Sequence, residues 1–518
     1  MAFHDLDALS ETVRELRRDV EVPWEELAAQ YVCPDWFRDA KFGIWAHWGP
    51  QCIPEYGQGW YARHMYMPGG GDGFGEAAYD YHCKTYGHPS QFGFKDVIHQ
   101  WKAERFDAEA VIGQCRVWGA KYFAVTACHH DHFDLFDSTY HPWNAVNVGP
   151  RRDIVGAFEQ AARAVGLPFS VAVHDNNHFD WFKHAFDEDE GGAYDGNLTK
   201  ADGRGLWWEG LDPADLYGPP MNERTPERLA AEKDRWLRRI CELLDRYQPD
   251  MLYYDWPVNQ GFIYDGYGQA AMERLYNNRL KKTGRLDAIA QLKCRQPGTV
   301  YVLERSFDNT IAAEPYQVET TFLDWFYKRD KPVIHSARSV AESLVDAVSK
   351  NANLLLSVEL FPDGTYPDDL RAIMDQFSSW LRANGDGIFG TRPWFVYGDG
   401  PFYHNPSAAE GFGERTAASA PFDPNEVRFT RKGDTLYLYA LNPSAGQVVV
   451  PNCGGDALNR MGVRVPIDRV AALGDGRPVA FEQTADRLML HLPAGIDRSL
   501  PFGCEIGFFE GHIGICGQ

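Results

Sequence analysis

Five short apolar runs in this chain each end in a residue that can do chemistry, and the order strand, site residue, helix recurs between them. The runs cover 41–46 ending at His47, 122–128 ending at His129 and His130, and 169–173 ending at His174; two more cover 251–254 ending at Asp255 and 300–303 ending at Glu304. Short apolar runs separated by helix-length segments predict buried parallel strands. Polar groups at the C-terminal ends of successive barrel strands converge on one face. Alternation from about residue 40 to 395 favours a (β/α) barrel of the TIM type over an open doubly wound sheet. No Gly-rich phosphate loop follows any of these strands, which argues against a nucleotide site.

The rest of the chain frames that barrel. Residues 1–35 read as a helical lead-in, with Leu6, Leu9, Val13 and Leu16 at helical spacing and a break at Pro34-Asp35. Residues 36–395 form the expected catalytic barrel. Within it, Thr225-Pro226-Glu227 starts a helix with a capping Thr and a first-turn Pro. That helix is expected to bury Leu229, Trp236, Ile240, Leu243 and Leu244 and to stop before Gln248-Pro249. A later one carries Leu370, Ile373, Met374, Phe377, Trp380 and Leu381 on one face and ends at Asn384-Gly385. Residues 55–100 and 180–222 are rich in Gly, Asp, Tyr and Trp without periodicity, and read as walls of a pocket. After Arg392-Pro393-Trp394 the pattern turns to short alternating runs, 435–440 and 487–492, which predicts a C-terminal β-sandwich over 396–518. The fold class is thus α/β plus β.

Composition narrows the partners. A net charge of −22 argues against nucleic acid or an anionic membrane as the main partner, since both need a basic face. No run of about 20 apolar residues offers a membrane span. The ten cysteines are scattered without a Cys-x-x-Cys pair, and no basic-then-apolar leader is visible. A reducing, cytoplasmic setting is the expectation. The 16 tryptophans serve a large core and, at a few positions, sugar-stacking faces. Oligomeric state is left open, a homo-oligomer included.

Asp255 sits at the tip of a buried run, Leu252-Tyr253-Tyr254, where a carboxylate must be paired or hydrogen-bonded. It is read as a nucleophile in the barrel mouth, against the plainer role of a helix cap. Glu304, beside Arg305, is read as a general acid/base next to a sugar-binding Arg, against a surface ion pair. Glu314 and Glu319 follow it as rivals for the same role. His129 and His130 are adjacent, so strand alternation should point them to opposite faces, which argues against a shared metal. They are read, with His47 and His174, as neutral imidazoles bonding sugar hydroxyls. Trp48, Trp60, Trp143, Trp256 and Trp325 flank these positions, one or two as stacking faces and the rest as core.

Several longer motifs carry a resemblance. They are Lys41-Phe-Gly-Ile-Trp-Ala-His-Trp-Gly49, Trp60-Tyr-Ala-Arg-His-Met-Tyr66 and His129-His-Asp-His-Phe-Asp134 with Trp143-Asn144 and Gly149-Pro-Arg-Arg-Asp153. Ser349-Lys-Asn-Ala-Asn-Leu-Leu-Leu356 with Asp363-Gly-Thr365 completes the set. Together they resemble the family 29 glycoside hydrolases, the α-L-fucosidases, over about residues 35–395. The resemblance implies a retaining double displacement on a fucosylated oligosaccharide or glycoconjugate, with neither metal nor organic cofactor. Asp255 matches the family's nucleophile. Glu304 is the favoured acid/base, with Glu319 second. Family sugar-binding positions match His47, Trp60, His129, His130 and Arg305, with His174 and Trp325 less directly. Two positions depart from the pattern. Gly59 stands where an acidic residue usually binds sugar hydroxyls, a loss of roughly 1.5–3 kcal/mol unless Glu55, Gln58 or Asp72 compensates. His132 stands where Asn or Gly is common. Gly59 leaves room for another L-sugar such as an α-L-galactoside, and a sugar-binding protein without turnover is the alternative from another class.

Overall fold

The computed structural model describes residues 4–57, 59–70, 77–175, 178–186, 188–189, 192–255, 265–406 and 414–509. Gln58, Asp72 and Trp256 lie outside the described residues. Eight parallel strands close a barrel in sequence order: β1 (Phe42–Ala46), β2 (Phe123–Cys128), β3 (Phe169–Val173), β4 (Met251–Tyr254), β5 (Ile289–Leu292), β6 (Val300–Glu304), β7 (Tyr316–Thr321) and β8 (Ala352–Ser357). β8 pairs with β1 to complete the ring. Nearly every strand residue is buried, as strands with a filled interior and a helical coat must be.

Two apolar layers account for that. Trp45, Ala124, Ala172, Met251, Tyr253, Ile289, Val302 and Leu355 pack inside the barrel. The alternate strand residues, such as Ile44, Val125, Val171 and Leu252, pack outward against the helices. The interior is tight at Gly43, where a Cβ would meet the Tyr122 ring at 2.4 Å. The helical lead-in stops at Gln30, and the chain is extended up to Pro34. Pro34 precedes a new helix, Asp35–Ala40, whose Phe37 joins the interior cluster and closes the N-terminal end of the barrel.

The helix Pro226–Tyr247 starts as its sequence predicts, with Thr225 Oγ1 accepting from Arg228 N. Trp236, Ile240, Leu243 and Leu244 are buried, but Leu229 is 37% exposed. The first turns stand clear of the neighbouring elements, so position on the apolar face does not ensure burial there. The helix Asp368–Asn384 buries Leu370, Met374, Phe377, Trp380 and Leu381, with Ile373 half-buried.

The C-terminal strands form two antiparallel sheets around one core. The five-stranded sheet has the order Arg392–Asp399, Val427–Lys432, Thr435–Ala440, Phe502–Phe508, Ile467–Ala472. The three-stranded sheet has the order Gln447–Val450, Leu488–His491, Ala480–Gln483. Val427, Phe429 and Leu438 of the first face Val448, Leu488 and Leu490 of the second in a single cluster. Docking on the barrel is polar as well as apolar: Trp380 donates to Pro501 O at 2.7 Å, and buried Arg428 pairs with Asp346 at 2.5 Å. No helix among the described residues is long and apolar enough to cross a membrane.

Candidate active site

Asp255 follows β4 directly, and its N–H donates to Val173 O on the neighbouring strand at 3.2 Å. That ladder bond aims the carboxylate into the barrel mouth. His130 Nε2 lies 3.0 Å from Asp255 Oδ2, His174 Nδ1 lies 3.7 Å from the same oxygen, and the Lys293 ammonium contacts Oδ1. Burial alone would raise the Asp255 pKa. Lys293, His174 and His130 outweigh it and hold the carboxyl well below its usual range. A carboxylate kept ionised at a strand end is a competent nucleophile.

Lys293 is the residue that sequence reasoning missed. It follows β5 directly, so the run 288–292 is a sixth member of the strand-then-site series. Its Nζ also meets Glu304 Oε2 at 2.5 Å and lies 3.8 Å from Glu319 Oε1. Three carboxyls therefore share one ammonium. Burial would lower the Lys293 pKa, but Asp255, Glu304 and Glu319 reverse that and raise it. Lys293→Met is expected to move the acidic limb of the kcat/KM–pH profile upward. The sign follows from what is lost: burial favours neutral Asp255, and Lys293 is the largest influence that opposes it. A pH profile with an unmoved acidic limb would show that Lys293 does not set the charge of Asp255.

The rival glutamates separate by environment. Glu304, the last residue of β6, has a side chain 34% exposed, whereas Glu319 is 1% exposed. Glu319 lies within β7 and not on a loop, and Tyr253 OH donates to its Oε1 at 2.7 Å. Burial pushes the Glu319 carboxyl up to about 8. Glu314 precedes β7, at the opposite end of the barrel from the mouth, and is exposed. Arg305 and Glu304 do not pair with each other in a surface bridge. Arg305 Nε bonds Glu414 Oε1 at 2.5 Å, and Glu414 reaches it from the segment that precedes the sandwich strand Val427–Lys432. No local sequence signal joins residues so far apart.

The imidazoles form a cluster over Asp255. His129 and His130 both reach it, with ring centroids 4.6 Å apart, because β2 ends at Cys128 and strand alternation no longer applies beyond it. His129 lies 4.9 Å and His47 5.5 Å from the His174 ring. Burial drives the pKa values of His47, His129 and His174 well below normal, so these rings are neutral. Gln51 Nε2 sits 2.7 Å from His129 Nδ1, and its Oε1 accepts from Ala62 N at 3.2 Å. The amide therefore donates to Nδ1, which leaves the His129 proton on Nε2. His174 is buried with neither ring nitrogen hydrogen-bonded among the described residues.

Aromatic side chains wall the cluster. Trp181 stacks on His130 at 4.6 Å, and Trp60 meets both edge-on at 5.1 and 6.0 Å. Trp325 lies 4.7 Å from His47. Trp60 and Trp181 come from the two long irregular segments, which thus do line the mouth. Trp48 and Trp143 are core residues whose indoles donate to Phe361 O and Asp212 O.

Two buried groups bring ligand-type atoms within 4.8 Å of one another: His129, His130 and His174, and Cys128, His132 and Asp175. In the first, His130 is committed to Asp255 and His129 to Gln51. In the second, the cation is Arg239, which bonds Asp175 at 2.8 Å and Asp134, with Cys128 Sγ at 3.4 Å. His132 belongs to this network, its Nδ1 3.0 Å from Asp175 Oδ2. Its φ of 55° explains why Asn or Gly suits such a position. Glu55 is held by Arg329, and so is not free to replace the acid missing at Gly59.

Comparison with known proteins gives the family and the fold. The family model for α-L-fucosidase matches residues 8–386. Plasma α-L-fucosidase of Homo sapiens is 27% identical over 390 residues, 72% of each chain. The Rattus norvegicus plasma enzyme is 26% identical over 503 residues, 92% of this chain and 89% of its own. Among solved structures, Thermotoga maritima α-fucosidase superposes with a TM-score of 0.67 at 23% identity, over 93% of this chain and 99% of that one. With a family match over most of its length and a parallel eight-stranded barrel, the chain belongs to the α-L-fucosidase family of glycoside hydrolases.

Proposed function

We propose that the chain removes terminal α-L-fucose from carbohydrates with retention of configuration, through a covalent glycosyl-enzyme on Asp255. One observation carries this reading: a single ammonium, Lys293, contacts both Asp255 and Glu304. Their nearest oxygens are therefore no farther apart than those two contacts end to end, about 5 Å. Retaining pairs sit roughly 5–5.5 Å apart, and inverting pairs about 6.5–9.5 Å to admit a water.

In the first step an Asp255 oxygen bonds to the anomeric carbon as the glycosidic C–O bond breaks. Glu304 gives its proton to the departing oxygen. In the second step Glu304 takes a proton from water, whose oxygen displaces the Asp255 carboxylate. Glu304 suits both transfers because it is partly exposed at the rim, where the leaving group departs and water enters. The neutral rings of His47, His129 and His174 supply hydroxyl-bonding groups without adding charge. The Nε2 of His174, which has no hydrogen bond among the described residues, and the Nε2–H of His129 support that role. Trp60, Trp181 and Trp325 offer apolar faces for the sugar ring.

Gly59 supports a second reading within the same chemistry: a pocket that accepts a related L-sugar. A panel of aryl α-L-fucoside, α-L-galactoside and β-D-arabinopyranoside separates the two by kcat/KM. Proton NMR of the first product tests the stereochemistry. The α-anomer forming first is expected, and the β-anomer forming first would overturn the retaining mechanism.

A further inference from the structure

Glu359 is fully buried two residues beyond β8, outside the group around Asp255, and no step above uses it. Its Oε1 accepts from Thr321 Oγ1 and from Leu323 N at 3.2 Å. Thr321 Oγ1 in turn accepts from Trp325 N at 3.0 Å. One carboxyl oxygen thus ties the end of β7 to the loop 322–326.

That loop is strained. Asp324 and Trp325 have φ of 67° and 77°, two consecutive left-handed residues with side chains. For a bulky residue such as Trp this conformation is an outlier that persists only where the surroundings over-determine it. The strained turn delivers two rings to the imidazole cluster: Trp325 lies 4.7 Å from His47, and Phe326 5.0 Å from His129. On its other side the loop rests on Gly59, where a Cβ would lie 3.5 Å from Asp324 O and from Trp325 Cβ.

We infer that Glu359 is a positioning residue for sugar binding, which through Thr321 holds the loop 322–326 in the left-handed turn that sets Trp325 against His47. The inference rests on the fucoside reading of the pocket and adds to it a second group that shapes its wall. The carboxyl acts as a neutral acceptor. Burial pushes it up to about 8, and its Oε2 has no hydrogen-bond partner among the described residues. A glutamine offers the same acceptor oxygen in nearly the same shape, whereas an alanine releases both donors.

The test is steady-state kinetics on an aryl α-L-fucoside with Glu359→Ala, Glu359→Gln and Thr321→Val, each checked for a cooperative melt. Glu359→Ala and Thr321→Val are expected to raise KM about 10-fold while kcat stays within about 3-fold, because the pocket wall and not the reacting pair is disturbed. The Ki of deoxyfuconojirimycin should rise in parallel. Glu359→Gln is expected to stay within about 2-fold of wild type in both parameters. Unchanged KM in the first two variants overturns the inference. So does a glutamine variant as impaired as the alanine one, or a fall in kcat at constant KM. If Glu359→Ala does not fold, Thr321→Val carries the decision. A wild type that turns over the fucoside alongside unaffected variants defeats this inference alone. A wild type that neither turns over fucoside nor binds the inhibitor defeats it together with the proposed function.

Discussion

Asp255→Gly is expected to lower kcat on an aryl α-L-fucoside by on the order of 10⁴-fold or more, the scale of losing a nucleophile whose partners act with it as a unit. The barrel should survive the change. Asp255 follows the last residue of β4, and the strand's burial rests on Met251, Leu252, Tyr253 and Tyr254. Removing the carboxylate leaves Lys293 paired with Glu304, so the buried cation is not stranded. The small residue also opens space beneath the anomeric carbon. Azide should enter that space and restore turnover of an activated substrate, giving the β-L-fucosyl azide. Rescue with the opposite anomer, or no rescue in a variant that still binds deoxyfuconojirimycin, would remove Asp255 from the nucleophile role.

Glu304→Ala should show a different signature. General acid/base assistance contributes typically about 10²–10⁴-fold, and that loss is expected in full on substrates with poor leaving groups. On an activated aryl fucoside the departing oxygen needs little protonation, so glycosylation is largely spared and azide accelerates the second step. Glu319→Ala should lack this leaving-group dependence. Glu319 is sealed beneath the pocket with Tyr253 donating to it, and burial keeps it protonated up to about 8. Its removal would loosen Tyr253 and Lys293 and affect both substrate types alike. If Glu319→Ala shows the steep leaving-group dependence and Glu304→Ala does not, the assignment here is reversed.

The residues that carry these predictions were unevenly legible. Five of the eight strands declared themselves because each is a local apolar run closed by a polar residue. β5 was equally local, but its Lys293 does not advertise catalysis as an Asp, Glu or His does. β7 was hidden for a stronger reason. Its sequence, Tyr-Gln-Val-Glu-Thr-Thr, places Gln317 and Glu319 toward the barrel interior, where polar residues read as loop. They are stable there because Tyr122 OH donates to Gln317 at 2.9 Å and Tyr253 OH to Glu319. Tyr253 lies on β4 and Tyr122 immediately precedes β2, both distant in sequence. Arg305 shows the converse: the position resembles a sugar-binding one, and its guanidinium bonds Glu414, a residue far along the chain that also accepts from Thr320 Oγ1.

From the amino-acid order alone came the barrel, the sandwich, and Asp255, Glu304 and the histidines as candidates, because hydrophobic period and strand-end position are short-range properties of the chain. Which carboxyl is sealed and which is open, that one lysine joins three of them, and that a buried glutamate hydrogen-bonds the end of β7 and the loop bearing Trp325 are visible only in three dimensions. Charge and solvent exposure at a site are sums over neighbours from many strands, and no single stretch of sequence contains those neighbours.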